Sequence, residues 1–581
     1  MSDTSKILVS YDGNRFYLHN RGSVAASLIA SGNLIFSRSQ KYHRPRGLLC
    51  GTGQCPSCLM TINGIPNERA CEINTKHGLL IRTQNNYPSA KHDLFSLLDH
   101  IGLLFPIGFQ YKILRPQYIH KIFQFLLSKF SGLANPPTEK AVYQVHSHVN
   151  TKRTDIVVIG GGPAGTSAAY NASRFIKKVT LIDENRTLCE KLNHPPIDKT
   201  VQIKDARHRQ SKVEALTSKI LKTPNIDLML NCQVIGIYGK GVLGIVSNRE
   251  KFIELHAKKI IIATGGYERF LIFDNNDLPG IMLSSGFLKL LRQNAIPKKS
   301  RVAVFDVRGS GQIIIKELLK QGVDVVAAIT PRKSTNSDEF GSIEKKVNIY
   351  NSSIIIKALG RRQIKGIRVS KIDNQGSPIM GSTETIQCDL LCVCGRIHPS
   401  YKLNLQAGCN LVYNNNSQCF ETLTNKYRNA IEGVYVAGLS SSPCDLQTAL
   451  DQGALAGISS TLDIKQNDKA YALRDTLAKK LEKQKPIVSQ PPKIELNISG
   501  KRSFICHCMD VTINDVIRAI NLGYDDIESL KRFTGVGTGS CQGILCSIQL
   551  AEILQKMTGK CELSTQRPPI TPVKLGILAG L

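Results

Sequence analysis

The sequence predicts a multidomain α/β protein, and three observations carry that reading. Strand-like runs pass twice through a glycine turn into a helical pattern, at DIVVIGGGPAG (155–165) and RVAVFDVRGSG (301–311). Short β-like runs separated by tight turns fill the first 95 residues. Four cysteines gather near the start of the chain, and a C-x-C and a C-x4-C pair bring four more together near its end. At 581 residues the chain is too long for one hydrophobic core, and about three or four domains follow.

Composition narrows the class. An apolar fraction of 42% with 46 glycines is ordinary for globular protein. No run of about 18 apolar residues offers a membrane-spanning helix. The opening MSDTSKILVS lacks the basic and apolar regions of a secretory leader. A cytoplasmic setting is therefore expected, in which the 17 cysteines serve as ligands or buried thiols rather than disulfides. The net charge of +30 is spread over every segment, not drawn into a stripe interleaved with aromatics, so no nucleic-acid surface is expected. It reads as compositional bias or as a basic docking face.

Taken in order, residues 1–95 carry ILVSYDG, LIFSRSQ, CLMTING and HGLLIRTQ, with turns at Asp12-Gly13 and Asn63-Gly64. Residues 96–154 read as a helical arm and linker. In YIHKIFQFLLSKF (118–130), Ile119, Ile122, Phe123, Leu126, Leu127 and Phe130 share one face, expected to pack on its own or a partner domain rather than on a membrane surface. NPPTEKAVYQVHSHVNTKRT (135–154) is the linker. Strand and helix then alternate. DIVVI, VTLIDE (179–184) and KKIIIATGG (258–266) belong to a nucleotide-binding domain over 155–297, and a second dinucleotide-type domain is inserted at 298–385. GVYVAG (433–438) and the helical DLQTALDQGALAG return to the first domain over 386–465. A second linker spans 466–500, and 501–581 holds short helices with the last cysteine group.

The glycine run fits G-x-G-x-x-G at Gly160, Gly162 and Gly165. The first glycine permits the tight turn, the second lets backbone N–H groups approach a pyrophosphate, and the third lets the helix pack closely. Asp183 stands at the end of the next strand, where an acid binds ribose hydroxyls. Dinucleotide binding is expected here. The later IIIATGG and GVYVAG strands are those with which two-domain FAD/NAD-dependent oxidoreductases close such a site. The second turn, Gly309-Ser310-Gly311, has Ile314 at the third glycine position and is stretched by Asp306-Val307-Arg308. A second nucleotide site and a ligand-free Rossmann-like fold stay open there.

Cys55 and Cys58 alone would read as a redox dithiol. With Cys50 and Cys71 they make C-x4-C-x2-C-x12-C, the ligand spacing of a plant-type [2Fe–2S] cluster, and the small residues Gly51, Thr52, Gly53 and Ser57 let amides turn toward sulfur. The cluster reading accounts for all four cysteines, and the dithiol does not. Cys506, Cys508, Cys541 and Cys546 make C-x-C and C-x4-C, which fits zinc or iron–sulfur alike. His507, between two of them, is expected to point away. The remaining cysteines, Cys392 and Cys394 among them, are expected as buried small hydrophobes.

This order of parts resembles the α subunits of multi-subunit flavin amine oxidases and dehydrogenases, which include heterotetrameric sarcosine oxidase, the opine and D-hydroxyproline dehydrogenases and hydrogen cyanide synthase. KYHRPRG (41–47), PIGFQYK (106–112), DVTINDVIRA (510–519), LKRFTGVG (530–537) and RPPITPVKLGILAG (567–580) carry the resemblance, which covers nearly the whole chain. It implies a β-grasp ferredoxin-like N-terminal domain, a two-domain FAD/NAD(P)-binding Rossmann-type core and a small α-helical C-terminal iron–sulfur domain. It favours iron–sulfur over zinc at the last four cysteines, hence two [2Fe–2S] clusters. Sarcosine oxidase α subunits continue into a folate-binding domain where this sequence stops, and many have lost the cluster cysteines kept here. For the main site it implies FAD, or NAD+ in the same place. The matching positions are Ala164, the acidic pair Asp183 and Glu184 with Asn185, Val234, and on the far side Gly438, Ser441, Leu446 and Thr448. Two adjacent acids disfavour NADP. The family oxidises its amine on a separate flavin-bearing β subunit, so this chain is expected to relay electrons and to supply no catalytic base. The alternative is a stand-alone NAD(P)H-dependent flavin and iron–sulfur reductase.

Overall fold

The computed structural model describes residues 6–101, 118, 121, 150–190, 203–239, 241–307, 309–333, 346–484 and 500–578. The amphipathic stretch 118–130, apart from Tyr118 and Lys121, and PIGFQYK lie outside these residues. The chain forms two compact units, each assembled from three separate stretches. No helix among the described residues is long and apolar enough to cross a membrane.

The first unit comprises Met1–Val142, Glu268–Arg396 and Pro492–Ser564. Its N-terminal part is a five-stranded sheet in the order Asn14–His19, Lys6–Tyr11, Leu80–Arg82, Leu59–Ile62, Ile65–Arg69. Only the central pairing of Lys6–Tyr11 with Leu80–Arg82 is parallel, and the helix Val24–Ala30, capped by Ser23, follows the first hairpin. This is a β-grasp fold. Asp12-Gly13 and Asn63-Gly64 turn its two hairpins with positive φ at both positions, the conformation that matches strand twist.

The inserted stretch supplies a five-stranded parallel sheet in the order Ile281–Leu283, Leu390–Cys394, Arg301–Asp306, Asp324–Ile329, Asn348–Tyr350. Helices Ser284–Arg292 and Gly311–Lys320 follow its first and third strands in this order. A three-stranded antiparallel meander, Ser353–Leu359, Gly366–Lys371 and Glu384–Gln387, completes the insert. The last stretch folds as helices Ile513–Asn521, Ile527–Thr534 and Ser547–Thr558, the first held by a reciprocal Thr512–Asp515 capping box. One apolar core runs through the unit: Leu49, Cys50 and Cys55 share it with Phe305, Ile329 and Val393 of the inserted sheet and with Cys541 and Leu545.

A buried ion network ties these three stretches together. Arg44 grips Asp277 with two hydrogen bonds of 2.7 Å and reaches Asn275 and Asp99. Arg46 bridges Asp277 and Asp510, and Asp510 also accepts from the backbone N–H groups of Lys41 and Tyr42. Burial alone would raise the Asp277 carboxyl, but Arg44 and Arg46 hold it well below the carboxylate range.

The second unit comprises Tyr143–Tyr267, Ile397–Pro491 and Thr565–Leu581. Its main sheet runs Ile226–Met229, Val179–Ile182, Asn150–Ile159, Lys251–Ile262, Val242–Ser247, Cys232–Ile237, and Val434–Val436 also pairs with the long central strand. The first four strands and Val434–Val436 are parallel, and the last three strands of the path form an antiparallel meander. Two expectations of linker change here. Residues 150–154, read as linker, begin the strand Asn150–Ile159; its polar first half is exposed but paired in register with Ile253–Ala257. Within 466–500 a helix spans Asp468–Glu482, capped by Asn467 and buried through Ala470 and Ala478.

Because the native Asp277 carboxyl is depressed, its stabilising contribution is complete above about pH 4 and is lost as pH falls toward the native value. Asp277→Asn should destabilise the protein at pH 7 by about 3–5 kcal/mol, the cost of breaking a buried ion pair. In thermal unfolding followed by circular dichroism, the gap to wild type should narrow as pH drops below about 4. A gap independent of pH would show that the charge is not what stabilises.

Candidate functional site

In the second unit the glycine fingerprint joins the strand Asn150–Ile159 to the helix Pro163–Ser173. Its three glycines meet three different surroundings. Gly160 has φ of +105°, and a Cβ there would lie 2.4 Å from the Ala263 carbonyl oxygen. A Cβ on Gly165 would lie 1.7 Å from the Gly160 carbonyl oxygen, so only glycine lets the helix seat this closely. At Gly162 nothing lies within 4 Å of a Cβ. That open place lies at the first turn of a helix that no side chain caps. A turn, a close packing contact and an open approach to helix N–H groups are what a pyrophosphate cradle needs.

The far wall comes from the late strand and the helix after it. Gly438, with φ of +71°, sits against Ala164, where a Cβ would come within 2.7 Å of the alanine methyl. Gly453 and Gly457 of the helix Leu446–Leu462 lie so near the carbonyls of Ala164 and Ala168 that a Cβ would approach to 2.0 and 2.3 Å. Ser441 is buried, and its Oγ accepts from Arg428, whose Nε donates to the Val436 carbonyl. Leu446 opens the helix, and the Thr448 N–H donates to its cap, Asp445.

Asp183 is buried at the end of its strand, and both its oxygens already accept hydrogen bonds, from Gly161 N at 2.5 Å and Asn185 N at 2.7 Å. It braces the glycine turn from below, whereas the neighbouring Glu184 is exposed and meets Gln233. Val234 is buried in the strand Cys232–Ile237 among the apolar core.

Both cysteine groups lie in the first unit. Cys50 and Cys55 are hydrogen-bonded through their thiols, as are Cys58 and Cys71. All four are buried. Cys50 Sγ also accepts from the N–H groups of Thr52 and Cys55 at 3.4 Å each. The Cys55 thiol hydrogen bond and these N–H groups pull Cys50 toward thiolate, while Cys50 and burial push Cys55 up. Near the end of the chain the thiols form a chain, Cys546 to Cys506 to Cys508 to Cys541, the last pair at 3.3 Å. Cys506 is pulled down by the thiols of Cys508 and Cys546, and Cys508 and Cys546 are pushed up. Gly539 lets this loop close, since a Cβ there would lie 2.1 Å from that of Cys508. The His507 ring packs on Phe270 at 4.7 Å, and burial drives its pKa down to about 4.

Among the described residues no group of three or more His, Cys, Asp or Glu side chains is gathered to hold a metal ion. The first four thiols meet in two pairs and the last four in a chain. A tetrahedral zinc site needs four donors converging on one point. A binuclear iron–sulfur cluster spreads its four cysteines over two irons, and this donor set fits that demand.

Asp306, noted from the sequence only as part of the stretched turn, and three residues that the sequence did not single out shape these sites. Asp306 is buried at the second glycine turn, and its Oδ1 accepts from Gly309 N at 2.6 Å and Ser310 N at 3.1 Å. Glu268 accepts from Ser284 Oγ and Ser285 N at the first turn of the helix Ser284–Arg292. Lys289 donates to the carbonyls of Gly51 and Cys71. Gly286 of that helix meets Gly51 so closely that a Cβ on Gly51 would fall 2.6 Å from its Cα. Only Asp306 had a signal in sequence, as part of the stretched turn.

Comparison with known proteins agrees with this construction. Residues 4–86 match a 2Fe-2S iron-sulfur cluster binding domain, residues 500–581 a sarcosine oxidase A3 domain, and residues 154–453 the pyridine nucleotide-disulphide oxidoreductase model. The chain is 27% identical to the alpha subunit of sarcosine oxidase from Rhizobium meliloti (strain 1021) over 98% of its own length and 57% of that protein's. It is 26% identical to an opine oxidase subunit from Agrobacterium tumefaciens (strain Ach5), over 74% of this chain and 92% of that one. It thus spans under two thirds of the sarcosine oxidase polypeptide it matches. The crystal structure of L-proline dehydrogenase from P. horikoshii shares the fold, with a TM-score of 0.72 and 22% identity across 99% of this chain and 98% of that one. The resemblance drawn from the sequence is borne out by these relatives. With a glycine cradle at Gly160–Gly165 and a family model covering more than half of its residues, the chain belongs to the pyridine nucleotide-disulphide oxidoreductase family.

Proposed function

We propose that this chain is the electron-relaying subunit of a flavin-dependent oxidase or dehydrogenase of secondary amines, of the sarcosine or opine kind, with the amine oxidised on a separate β subunit. The observation that carries the reading is the joint presence of a glycine cradle at Gly160–Gly165 and two groups of four thiols, all buried except the half-buried Cys508. Relatives named as subunits of sarcosine and opine oxidases support the amine class and the hetero-oligomer.

In this reading FAD occupies the cradle, and Cys50, Cys55, Cys58 and Cys71 hold one [2Fe–2S] cluster while Cys506, Cys508, Cys541 and Cys546 hold a second. Bound together, these groups supply the conversion of a two-electron donor into single-electron transfers. The chain's own residues prepare the places. Gly162 leaves room for phosphate, and the uncapped helix start gives it partial positive charge. Glu184, exposed beside Asp183 and bonded to Gln233, would put an acid near the ribose hydroxyls and repel a 2′-phosphate. The N–H groups of Thr52 and Cys55 hold the Cys50 sulfur as thiolate.

The stand-alone NAD(P)H reductase is disfavoured by Asp306. Its carboxylate occupies the N–H groups of Gly309 and Ser310 that a pyrophosphate would need, and it adds like charge there.

Anaerobic visible and EPR spectra with iron, sulfide and flavin quantified test the proposal. About four irons, about four sulfides and one flavin per chain are expected; zinc, or NAD+ in place of flavin, would recast the chain as a structural subunit. Cys55→Ser should lose roughly half of the iron and sulfide and keep its dinucleotide. NADH added anaerobically should leave the flavin absorbance unchanged, and rapid bleaching would restore the reductase reading. Gly162→Ala should leave the thermal midpoint of the ligand-free protein in place while removing bound dinucleotide. Gly165→Ala should lower the midpoint itself, because its Cβ collides with the Gly160 carbonyl.

A further inference from the structure

The loop that carries Cys50 does not end its contacts within the N-terminal sheet. It lies along the first turns of the helix Ser284–Arg292, which belongs to the inserted sheet. Leu283 N donates to the Leu49 carbonyl at 2.9 Å, and Ser285 Oγ to the Cys50 carbonyl at 3.0 Å. Gly51 and Gly286 allow the backbones to touch. One turn further along, Lys289 Nζ donates to the Gly51 carbonyl at 3.0 Å and to the Cys71 carbonyl at 2.8 Å. The ammonium thus spans both ends of the cysteine group, next to its first and last members.

The charges around it do not cancel it. The Glu72 carboxylate lies against Gly53 of the same loop and is paired with Arg69 at 3.9 Å. Glu268 is engaged by the first turn of the helix, whose dipole it complements. Lys289 makes no ion pair with a carboxylate among the described residues, and it is half-buried, where solvent screens it less than on an open surface. A fixed positive charge beside an electron-accepting centre favours the form that has gained the electron.

We propose that Lys289 is a positioning residue that sets the potential of the N-terminal centre: its ammonium, braced on Gly51 and Cys71, raises the reduction potential of a cluster held by Cys50, Cys55, Cys58 and Cys71. The inserted sheet thereby acts on a centre whose ligands all lie in another stretch of the chain. The inference rests on the relay reading, and it assigns the potential to a residue that the cysteine pattern does not contain.

The test is an EPR-monitored redox titration of the full chain, wild type against Lys289→Met, Lys289→Gln and Lys289→Arg, with iron and sulfide measured in each. Cys55→Ser identifies which signal belongs to the N-terminal centre. In Lys289→Met and Lys289→Gln the reduction equilibrium of that signal should fall about tenfold, about 59 mV for one electron. Lys289→Arg should retain the wild-type value, and the other signal should not move. An unchanged midpoint in both neutral variants at full iron content overturns the proposal. So does an equal shift of both signals, or loss of N-terminal iron from both neutral variants, which would make Lys289 a structural tie. Wild-type protein without iron and sulfide would instead sink the relay reading, and this inference with it.

Discussion

Two arginines buried against two aspartates are the constraint on which the first unit depends. Arg44, Arg46, Asp277 and Asp510 are each less than a tenth exposed, and they come from three stretches far apart in sequence. Charges taken this far out of water are tolerable only when every one is paired with good geometry. Here the pairing is bidentate at Arg44 and shared at Asp277, and the Phe504 ring lies 5.0 Å from the Arg44 guanidinium. Arg46 stands four residues before Cys50, and Asp510 two after Cys508. One set of charges therefore fixes the approach of both cysteine loops.

The second unit solves a similar placement problem by opposite means. Among the described residues no ion pair holds the helix Leu446–Leu462 to the helix Pro163–Ser173. Gly453 and Gly457 admit the carbonyls of Ala164 and Ala168 where any side chain would clash. Smallness sets the register, and the glycine turn inherits it through Ala164 and Gly438.

What the sequence revealed follows from which effects are local. The fingerprint was legible because each glycine answers to neighbours within its own strand–turn–helix unit, and the first cysteine group because its spacing is compact. The two hairpins of the N-terminal sheet were legible through their turns, and the β-grasp only through the family resemblance. The helix Asp468–Glu482 was not, because its charged residues read as linker, although Leu473 and Leu477 pack beside the buried Ala470 at helical spacing. The polar start of the strand Asn150–Ile159 was hidden for a related reason: its pairing, not its side chains, makes it a strand. KYHRPRG was conspicuous without a reason until Arg44 and Arg46 met partners more than 200 residues away. Lys289 and Glu268 gave no signal, since each acts across stretches that only the fold brings together.

The alternation of the two units along the chain also sets an order of events in synthesis. The N-terminal sheet is complete by Arg82, but the Asp510 that Arg46 requires lies 464 residues beyond that arginine. At about 5–20 residues per second the ribosome needs on the order of half a minute or more to cover that distance. Throughout it the arginine lacks its second carboxylate, and the first cysteine loop lacks the apolar neighbours Cys541 and Leu545. Neither unit can be excised as a continuous piece of polypeptide, and the nascent chain holds its earliest thiols in a half-built core until the loop of Asp510 and the helix after Cys546 have emerged.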